Sequence, residues 1–184
     1  AISIMALNPM YLNPLAVGKL RGESAMEEVL KEKDRLKALE LIDYEAVLAL
    51  KRNYLKAVFK QNGKRTIASK AFQEFYKENE SWLIPYAAFR ALSEQFGTAD
   101  FSKWGRYKKY TLKKAQALME EDSDRVMYYI FLQFHCDIQL REAVEVAHSL
   151  GVAIKGDIPI GIAPLSGEAW TEPEYFHMDS TAGA

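Results

Sequence analysis

The chain has 184 residues, of which 49% are hydrophobic and 27% are charged, and this is enough for one ordinary domain with a hydrophobic core. Its formal net charge of -1 at pH 7 excludes the strongly basic balance that is typical of proteins binding nucleic acid or anionic membranes. The single cysteine, Cys136, excludes an internal disulfide, and no apolar run is long enough to span a bilayer. We therefore expect a cytoplasmic protein that binds neither nucleic acid nor membrane.

Apolar residues recur at helical spacing along most of the chain, which predicts a mostly α-helical structure. The predicted helices cover about residues 24–42, 44–62, 66–80, 85–96, 112–120 and 123–150. Their ends are assigned from residues that commonly start or stop helices: Ser24 with Glu27 as a capping box, Asp43 and Thr111 as N-caps, Pro85 in a first turn, and Gly63 and Gly97 at C-terminal ends.

One short segment near the C-terminal end differs from the helices. Residues 152–160 are apolar and rich in β-branched side chains, and Gly151 and Gly161 bound them, which is typical of a short buried strand. Pro159 removes one hydrogen-bond donor, so the strand is expected to end there. The segment that follows, up to Trp170, is a Gly/Pro/Ser-rich loop of the kind that often carries binding groups. A helix, a glycine turn, a strand and such a loop form one unit of an α/β barrel.

Several motifs resemble the 4-α-glucanotransferase family, whose members are also called amylomaltases or disproportionating enzymes. The most specific block is Gly156-Asp157-Ile158-Pro159-Ile160, followed by Ser166, Trp170 and Glu172-Pro173-Glu174-Tyr175-Phe176. Upstream matches occur in the same order, at Leu7-Asn8-Pro9-Met10-Tyr11-Leu12, Asp43-Tyr44-Glu45-Ala46-Val47, Trp82-Leu83-Ile84-Pro85-Tyr86-Ala87 and Phe131-Leu132-Gln133-Phe134. The sequence is most similar to the branch that includes the plant cytosolic disproportionating enzyme.

The resemblance implies a (β/α)8 TIM barrel for the whole enzyme. A complete barrel needs eight strands and roughly 250 residues, so we expect this chain to be an excised segment. Residues 1–122 are then predicted to be a helical subdomain inserted in the barrel. Residues 123–184 are predicted to be a helix–strand–loop unit, with 152–160 as the third barrel strand and about the only strand in the segment.

The resemblance also implies an activity. The whole enzyme would transfer α-1,4-glucan segments between malto-oligosaccharides with retention of configuration, and it would need no cofactor and no metal. Family members supply the catalytic carboxylates from later strands, so no catalytic residue is assigned in this chain and the chain alone is expected to be inactive. A lone barrel strand leaves two unpaired edges, so we expect the fragment either to self-associate or to bury the strand in its own helices. The alternative is a non-catalytic helical module for protein interaction, which would explain the helices but not the block from Asp157 to Trp170.

Four residues are predicted to bind substrate: Asp157, Ser166, Glu168 and Trp170. An acid in the position of Asp157 supports the active site in the related barrels, but it can equally be a buried structural acid. Trp170 can equally be a packing anchor. Many amylomaltases carry Ala-Glu-Asp-Ser where this chain has Ala163-Pro164-Leu165-Ser166. Because Leu165 cannot accept hydrogen bonds from sugar hydroxyls, either that contact moves to Ser166 and Glu168, which we favour, or the acceptor subsite favours a different glucan.

Two other groups of residues suggest different functions. Residues 103–110 alternate cations with aromatics, as single-strand nucleic-acid binders do, but a solvated connector anchored by its aromatics is the simpler interpretation. The spacing of His135, Cys136, His148 and His177 matches no zinc motif. Cys136 and His135 are neighbours on a helix and point in different directions, which argues against a nucleophile–base pair.

Overall fold

The computed structural model describes residues 3–157 and 161–180, and it confirms that the chain is mostly α-helical. Seven helices occur among these residues: α1 (Pro14–Val17), α2 (Glu23–Lys37), α3 (Tyr44–Ile67), α4 (Lys70–Phe96), α5 (Leu112–Glu121), α6 (Ser123–Ser149) and α7 (Gly167–Thr171). Short 3-10 turns are found at Pro9–Tyr11, Phe101–Lys103, Gly105–Tyr107 and Pro173–Tyr175. No strand is present in the part of the chain that is described.

The chain divides into two compact units. The small unit is Asn8–Gln73, and the large unit combines Ala1–Leu7 with Glu74–Ala184. Helix α4 begins in the small unit and continues into the large one. The resemblance predicts a different boundary, at residue 122, between a helical subdomain and the barrel of the whole enzyme. That boundary stays a prediction.

Helix α3 is the central element of the small unit. Its side chains fix the loops before it: the Lys51 ammonium donates to the Leu12 carbonyl at 3.0 Å, and the Tyr54 hydroxyl donates to the Gly18 carbonyl at 2.7 Å. Val58 is fully buried. Partial burial of the Lys51 side chain lowers its pKa, because burial disfavours the charged ammonium.

Helix α6 is the central element of the large unit. Most of its side chains from Val126 to Cys136 are buried, and they lie on every face of the helix. This pattern is typical of a helix surrounded by other elements. Beside it lies a group of aromatic rings: Phe89, Trp104, Tyr110 and Trp170, with ring centroids 5.0 to 6.0 Å apart. Tilted and edge-to-face pairs at these distances are favourable, so this group forms a second part of the core.

The helix ends that depend on local capping are confirmed in most cases. Asp43 accepts a hydrogen bond from the Ala46 amide at 2.9 Å, Thr111 caps α5, and Gly97 adopts the left-handed conformation that ends α4. The capping box at Ser24 is wrong. Helix α2 begins one residue earlier, at Glu23, after Gly22 with a positive φ of 100°, and it ends at Lys37 rather than near residue 42.

Two predicted helix boundaries inside α3 and α4 are also wrong. Helix α3 continues through Gly63 to Ile67. The glycine leaves room for the Phe59 ring, because a Cβ at residue 63 would lie 2.7 Å from it. The predicted helices 66–80 and 85–96 are one helix, with Pro85 inside it. Buried side chains on both sides of Pro85, such as Leu83 and Phe89, offset the cost of about 3 kcal/mol that an interior proline imposes.

The strand prediction is not supported in the residues that can be described. Residues 152–157 have no regular structure, and Val152 and Ile154 are 54% and 52% exposed. The last part of the predicted strand, residues 158–160, lies outside the described residues. A strand is stabilised by hydrogen bonds to a neighbouring strand, and the described residues contain no neighbouring strand. Apolar β-branched composition alone therefore does not produce a strand here.

Candidate functional site

The short helix α7 carries three of the four residues predicted to bind substrate. Ser166 precedes the helix as its N-cap, and its hydroxyl accepts a hydrogen bond from the Ala169 amide at 3.2 Å. Ser166 is 1% exposed, so this hydroxyl is used inside the protein. A capped first turn explains why the Gly/Pro/Ser-rich loop becomes helical at this point.

Glu168 is a buried carboxylate that binds the start of the chain. Its Oε1 accepts hydrogen bonds from the Ser3 hydroxyl at 2.5 Å and from the Ile4 amide at 3.0 Å, and only 8% of the residue is exposed. The Ser3 hydroxyl in turn accepts bonds from the amides of Met5 and Ala6. One carboxylate oxygen therefore fixes the backbone of the whole segment, and hydrogen bonds to a charged acceptor are stronger than neutral ones.

Gln133 holds the end of the same segment. Its Oε1 accepts a hydrogen bond from the Leu7 amide at 2.9 Å, and its Nε2 donates to the Leu7 carbonyl at 2.8 Å and to the Tyr86 hydroxyl at 3.3 Å. Gln133 is 1% exposed and lies among the apolar side chains of α6. Sequence reasoning missed this role, although a polar residue inside an apolar stripe is a signal that could have found it.

Trp170 belongs to the aromatic group of the large unit. It is 3% exposed, its indole N–H donates to the Tyr107 carbonyl at 2.9 Å, and its ring meets those of Trp104 and Tyr110 edge-on. These contacts give the side chain the packing role that was one of its two interpretations. Glu168 and Trp170 thus attach α7 to two separate parts of the large unit.

Asp157 differs from the other three predicted residues, because its side chain is exposed. It lies at the end of the irregular stretch 152–157, and the interpretation as a buried structural acid does not agree with this exposure. The structure therefore brings Ser166, Glu168 and Trp170 together in α7 and leaves Asp157 available to solvent. Whether any of the four binds substrate stays a prediction.

Burial shifts the pKa values of several groups in the large unit. It lowers the pKa of His135 to about 4 and raises that of Cys136 to about 12. The imidazole is therefore neutral and the thiol protonated at neutral pH, which excludes Cys136 as an activated nucleophile. Burial also raises the pKa of Tyr86 to about 12. Among the residues that the structure describes, the buried atoms Glu168 Oε2 and His135 Nε2 have no hydrogen-bond partner.

The other candidate sites receive no support from the geometry. In residues 3–157 and 161–180, no group of three or more His, Cys, Asp or Glu side chains is arranged to hold a metal ion. In the segment 103–110, Trp104 and Tyr107 are buried, so these rings cannot stack on nucleic-acid bases. No helix in the described part of the chain is both long enough and apolar enough to cross a membrane.

Comparisons with known proteins agree with the motifs. A protein-family model described as 4-alpha-glucanotransferase matches residues 1–184. A 4-alpha-glucanotransferase DPE2 from Oryza sativa subsp. japonica is 35% identical over 100% of this chain, which corresponds to 20% of that protein. A 4-alpha-glucanotransferase from Chlamydia muridarum is 28% identical over 100% of this chain and 35% of its own length. The chain thus spans about a fifth to a third of these relatives.

A solved structure shows that the fold is shared as well. The amylomaltase from Streptococcus agalactiae in complex with acarbose superposes with a TM-score of 0.74, at 24% sequence identity, over 96% of this chain and 35% of that protein. The motif block from Asp157 to Trp170, the helical fold and the match over every residue therefore lead to one conclusion: this chain belongs to the 4-alpha-glucanotransferase family.

Proposed function

We propose that the whole protein transfers α-1,4-glucan segments from one malto-oligosaccharide to the 4-hydroxyl of another sugar, with retention of configuration. The observation that carries this proposal is the family match over residues 1–184. Relatives from a plant and a bacterium have the same activity in their names. The match does not favour the alternative, a helical interaction module without chemistry.

Retention requires two carboxyl groups about 5–5.5 Å apart on either side of the scissile bond. One carboxylate attacks the anomeric carbon and forms a glycosyl–enzyme intermediate, while the other gives its proton to the leaving sugar oxygen. The second group then removes the proton from the 4-hydroxyl of the acceptor, which attacks the intermediate and restores the α configuration. We place both groups in the remainder of the enzyme, so this chain alone is expected to be inactive, and no cofactor or metal enters the reaction.

Within this chain, we assign substrate contact to Asp157 and a positioning role to Ser166, Glu168 and Trp170. The supporting observation is that Ser166, Glu168 and Trp170 are at most 8% exposed and make hydrogen bonds inside the protein. Asp157 instead lies near the C-terminal end of the predicted strand, where barrel enzymes carry their site residues. A carboxylate offers two acceptor oxygens, which suits neighbouring hydroxyls of one glucose unit. Through Glu168 the helix α7 also fixes residues 3–6, next to the family motif that begins at Leu7.

The barrel arrangement belongs to the same proposal. We propose that residues 152–160 form the third strand of a (β/α)8 barrel in the whole protein, where neighbouring strands would supply the missing hydrogen bonds. The exposed Val152 and Ile154 support this, because buried barrel strands are rich in such side chains. In this chain alone the same residues favour self-association. The buried, unpaired Cys136 is compatible with the reducing cytoplasm as the compartment.

The experiment that tests the proposed function uses the whole protein and maltotriose as the only substrate. Transfer activity produces glucose together with longer malto-oligosaccharides, which chromatography separates, and no other reagent is needed. The 184-residue chain at the same concentration serves as the matched control and is expected to give no product above buffer. Maltotriose left unchanged by the whole protein would show that the activity is a different one.

A further inference from the structure

A pocket of about 460 Å³ lies within the small unit. Its walls come from α1, α2, the connection between α2 and α3, and the first half of α3. Most of the lining side chains are aliphatic, and Leu15, Leu30, Ile42 and Leu50 each belong to a different wall. Ligand pockets in proteins commonly measure about 300–1,000 Å³ and are lined mainly by apolar side chains. This pocket therefore has the size and the lining of a small-molecule site.

The apolar lining is covered by the protein itself only at its deepest part. Leu36 and Tyr54, which line the pocket, are 9% and 3% exposed. Leu15, Leu30 and Ile42 line the same pocket and are 36%, 40% and 65% exposed. Because apolar surface gains free energy when it leaves water, an apolar ligand in the pocket is stabilised by covering these three side chains.

The charged groups of the pocket all have the same sign. They are Lys33, Lys37 and Lys51, and no described lining residue is an Asp or a Glu. The Lys51 ammonium is already used, because it donates to the carbonyls of Met10 and Leu12. Lys33 and Lys37 are four residues apart on α2, so they lie on one face of that helix. Two neighbouring ammonium groups beside an apolar pocket attract an anion.

These features select a ligand with one anionic head and one unbranched apolar chain. A cation is repelled by both lysines. A sugar carries hydroxyls around its ring, and aliphatic walls offer them no hydrogen-bond partner. A helix of a partner protein is about 10–12 Å across, so two of its turns occupy roughly 1,000 Å³, which is more than the pocket holds.

We propose that this pocket binds a free long-chain fatty acid. The carboxylate lies at Lys33 and Lys37, and the acyl chain packs against the aliphatic walls, where it covers Leu15, Leu30 and Ile42. The proposal goes beyond the proposed function and does not depend on it, because it rests only on the size, the lining and the charge of the pocket.

The test is a calorimetric titration of the whole protein with laurate, kept below the concentration at which laurate forms micelles. We expect one molecule bound per protein, with a dissociation constant in the micromolar range. Dodecyltrimethylammonium has a chain of the same length and the opposite charge, and it should bind at least about tenfold more weakly. Several molecules bound per protein, with no preference between the two amphiphiles, would overturn the proposal.

A first variant changes the apolar wall. Leu30→Gln places an amide where the acyl chain packs, and it should weaken laurate binding about fivefold. Leu41→Gln makes the same change at a leucine that is 82% exposed and is not a lining residue, so it is the matched control and should bind as the wild type does. Laurate binding that is unchanged in folded Leu30→Gln contradicts the proposal.

A second variant reverses the charges and keeps the test decisive if Leu30→Gln does not fold. The double variant Lys33→Glu/Lys37→Glu should bind laurate about tenfold more weakly and should prefer dodecyltrimethylammonium. Lys31→Glu reverses an exposed charge on the same helix that does not line the pocket, and it should leave laurate binding unchanged. A folded double variant that still prefers laurate overturns the proposal. So does laurate binding by the 184-residue chain but not by the whole protein, since another part of the protein then covers the pocket.

Discussion

The stretch 152–157 and helix α7 lie close together in the chain but differ in how they are stabilised. Residues 152–157 are exposed along their whole length and have no regular structure. In α7, by contrast, a serine caps the first turn, Glu168 binds the distant residue Ser3, and Trp170 is packed among aromatic rings. A short helix can therefore form from local and tertiary contacts within this chain, whereas a short strand needs a partner strand.

The largest expected effect concerns the aromatic anchor of α7. Trp170→Ala should lower the free energy of unfolding by about 3–5 kcal/mol, because it leaves a cavity beside Trp104 and removes the bond to the Tyr107 carbonyl. Urea denaturation followed by circular dichroism measures this change. Tyr175→Ala, at an exposed ring, is the control and should change stability by less than about 0.5 kcal/mol. Equal effects of the two variants would contradict the anchor role.

The second prediction concerns the contact between Glu168 and the start of the chain. Glu168→Ala should lower the free energy of unfolding by about 2–3 kcal/mol, because the Ser3 hydroxyl and the Ile4 amide lose a charged acceptor. It should also speed hydrogen exchange at the Ile4 amide more than at amides of α6. The exposed Glu174→Ala is the matched control. Protection of Ile4 that survives in Glu168→Ala would show that another contact holds this segment.

The third prediction follows from the buried imidazole of His135, whose pKa of about 4 lies below the usual value near 6.5. Between these two values the unfolded chain binds more protons than the folded one. Stability is thus greatest above pH 6.5 and falls as the pH is lowered towards 4, by on the order of 2 kcal/mol for this residue. His135→Gln should remove this part of the pH dependence. Denaturation curves from pH 4 to 8 that are parallel in both proteins would contradict it.

The smallest expected effect lies in the exposed stretch. Ile154→Ser should change the stability of this chain by less than about 0.5 kcal/mol, because the isoleucine is already 52% exposed. The same change should reduce self-association, which light scattering measures, since it removes an apolar side chain from the surface. In the whole protein it should be strongly destabilising if residues 152–160 form a buried barrel strand. A large loss of stability in the chain alone would mean that this stretch is packed after all.

Local signals in the sequence predict the local features of this fold. The caps at Asp43, Thr111 and Gly97 depend on residues within one helical turn, and each of them is confirmed. The position of Pro85 inside α4 could not be predicted locally, because the buried side chains beside it, such as Phe89, pack against rings distant in sequence, those of Trp104 and Trp170. The strand predicted at 152–160 is not formed in residues 152–157 of this chain, because a strand depends on a neighbour that no local pattern reveals.

The candidate site was predictable to a different degree. The family motifs point to the block from Asp157 to Trp170, but motif matching does not distinguish a residue that binds substrate from one that supports it. Glu168 looks like a sugar ligand in sequence, while in space its carboxylate binds Ser3 across the chain. Gln133 is marked in the sequence only as a polar residue in an apolar stretch of helix. Its role in holding the start of the chain is visible only from its two hydrogen bonds to the Leu7 backbone.

The most direct test of this account compares Asp157→Asn with Glu168→Gln in the whole protein, measuring kcat/KM for maltotriose transfer and the melting temperature of each variant. We expect Asp157→Asn to lower kcat/KM by about tenfold or more without a change in melting temperature, because an exposed ligand of the substrate loses its charge. Glu168→Gln should lower the melting temperature by several degrees and leave kcat/KM of the folded enzyme within about threefold of the wild type. The opposite pattern, a stable Glu168→Gln with little activity beside a fully active Asp157→Asn, would contradict the division between exposed ligand and buried support.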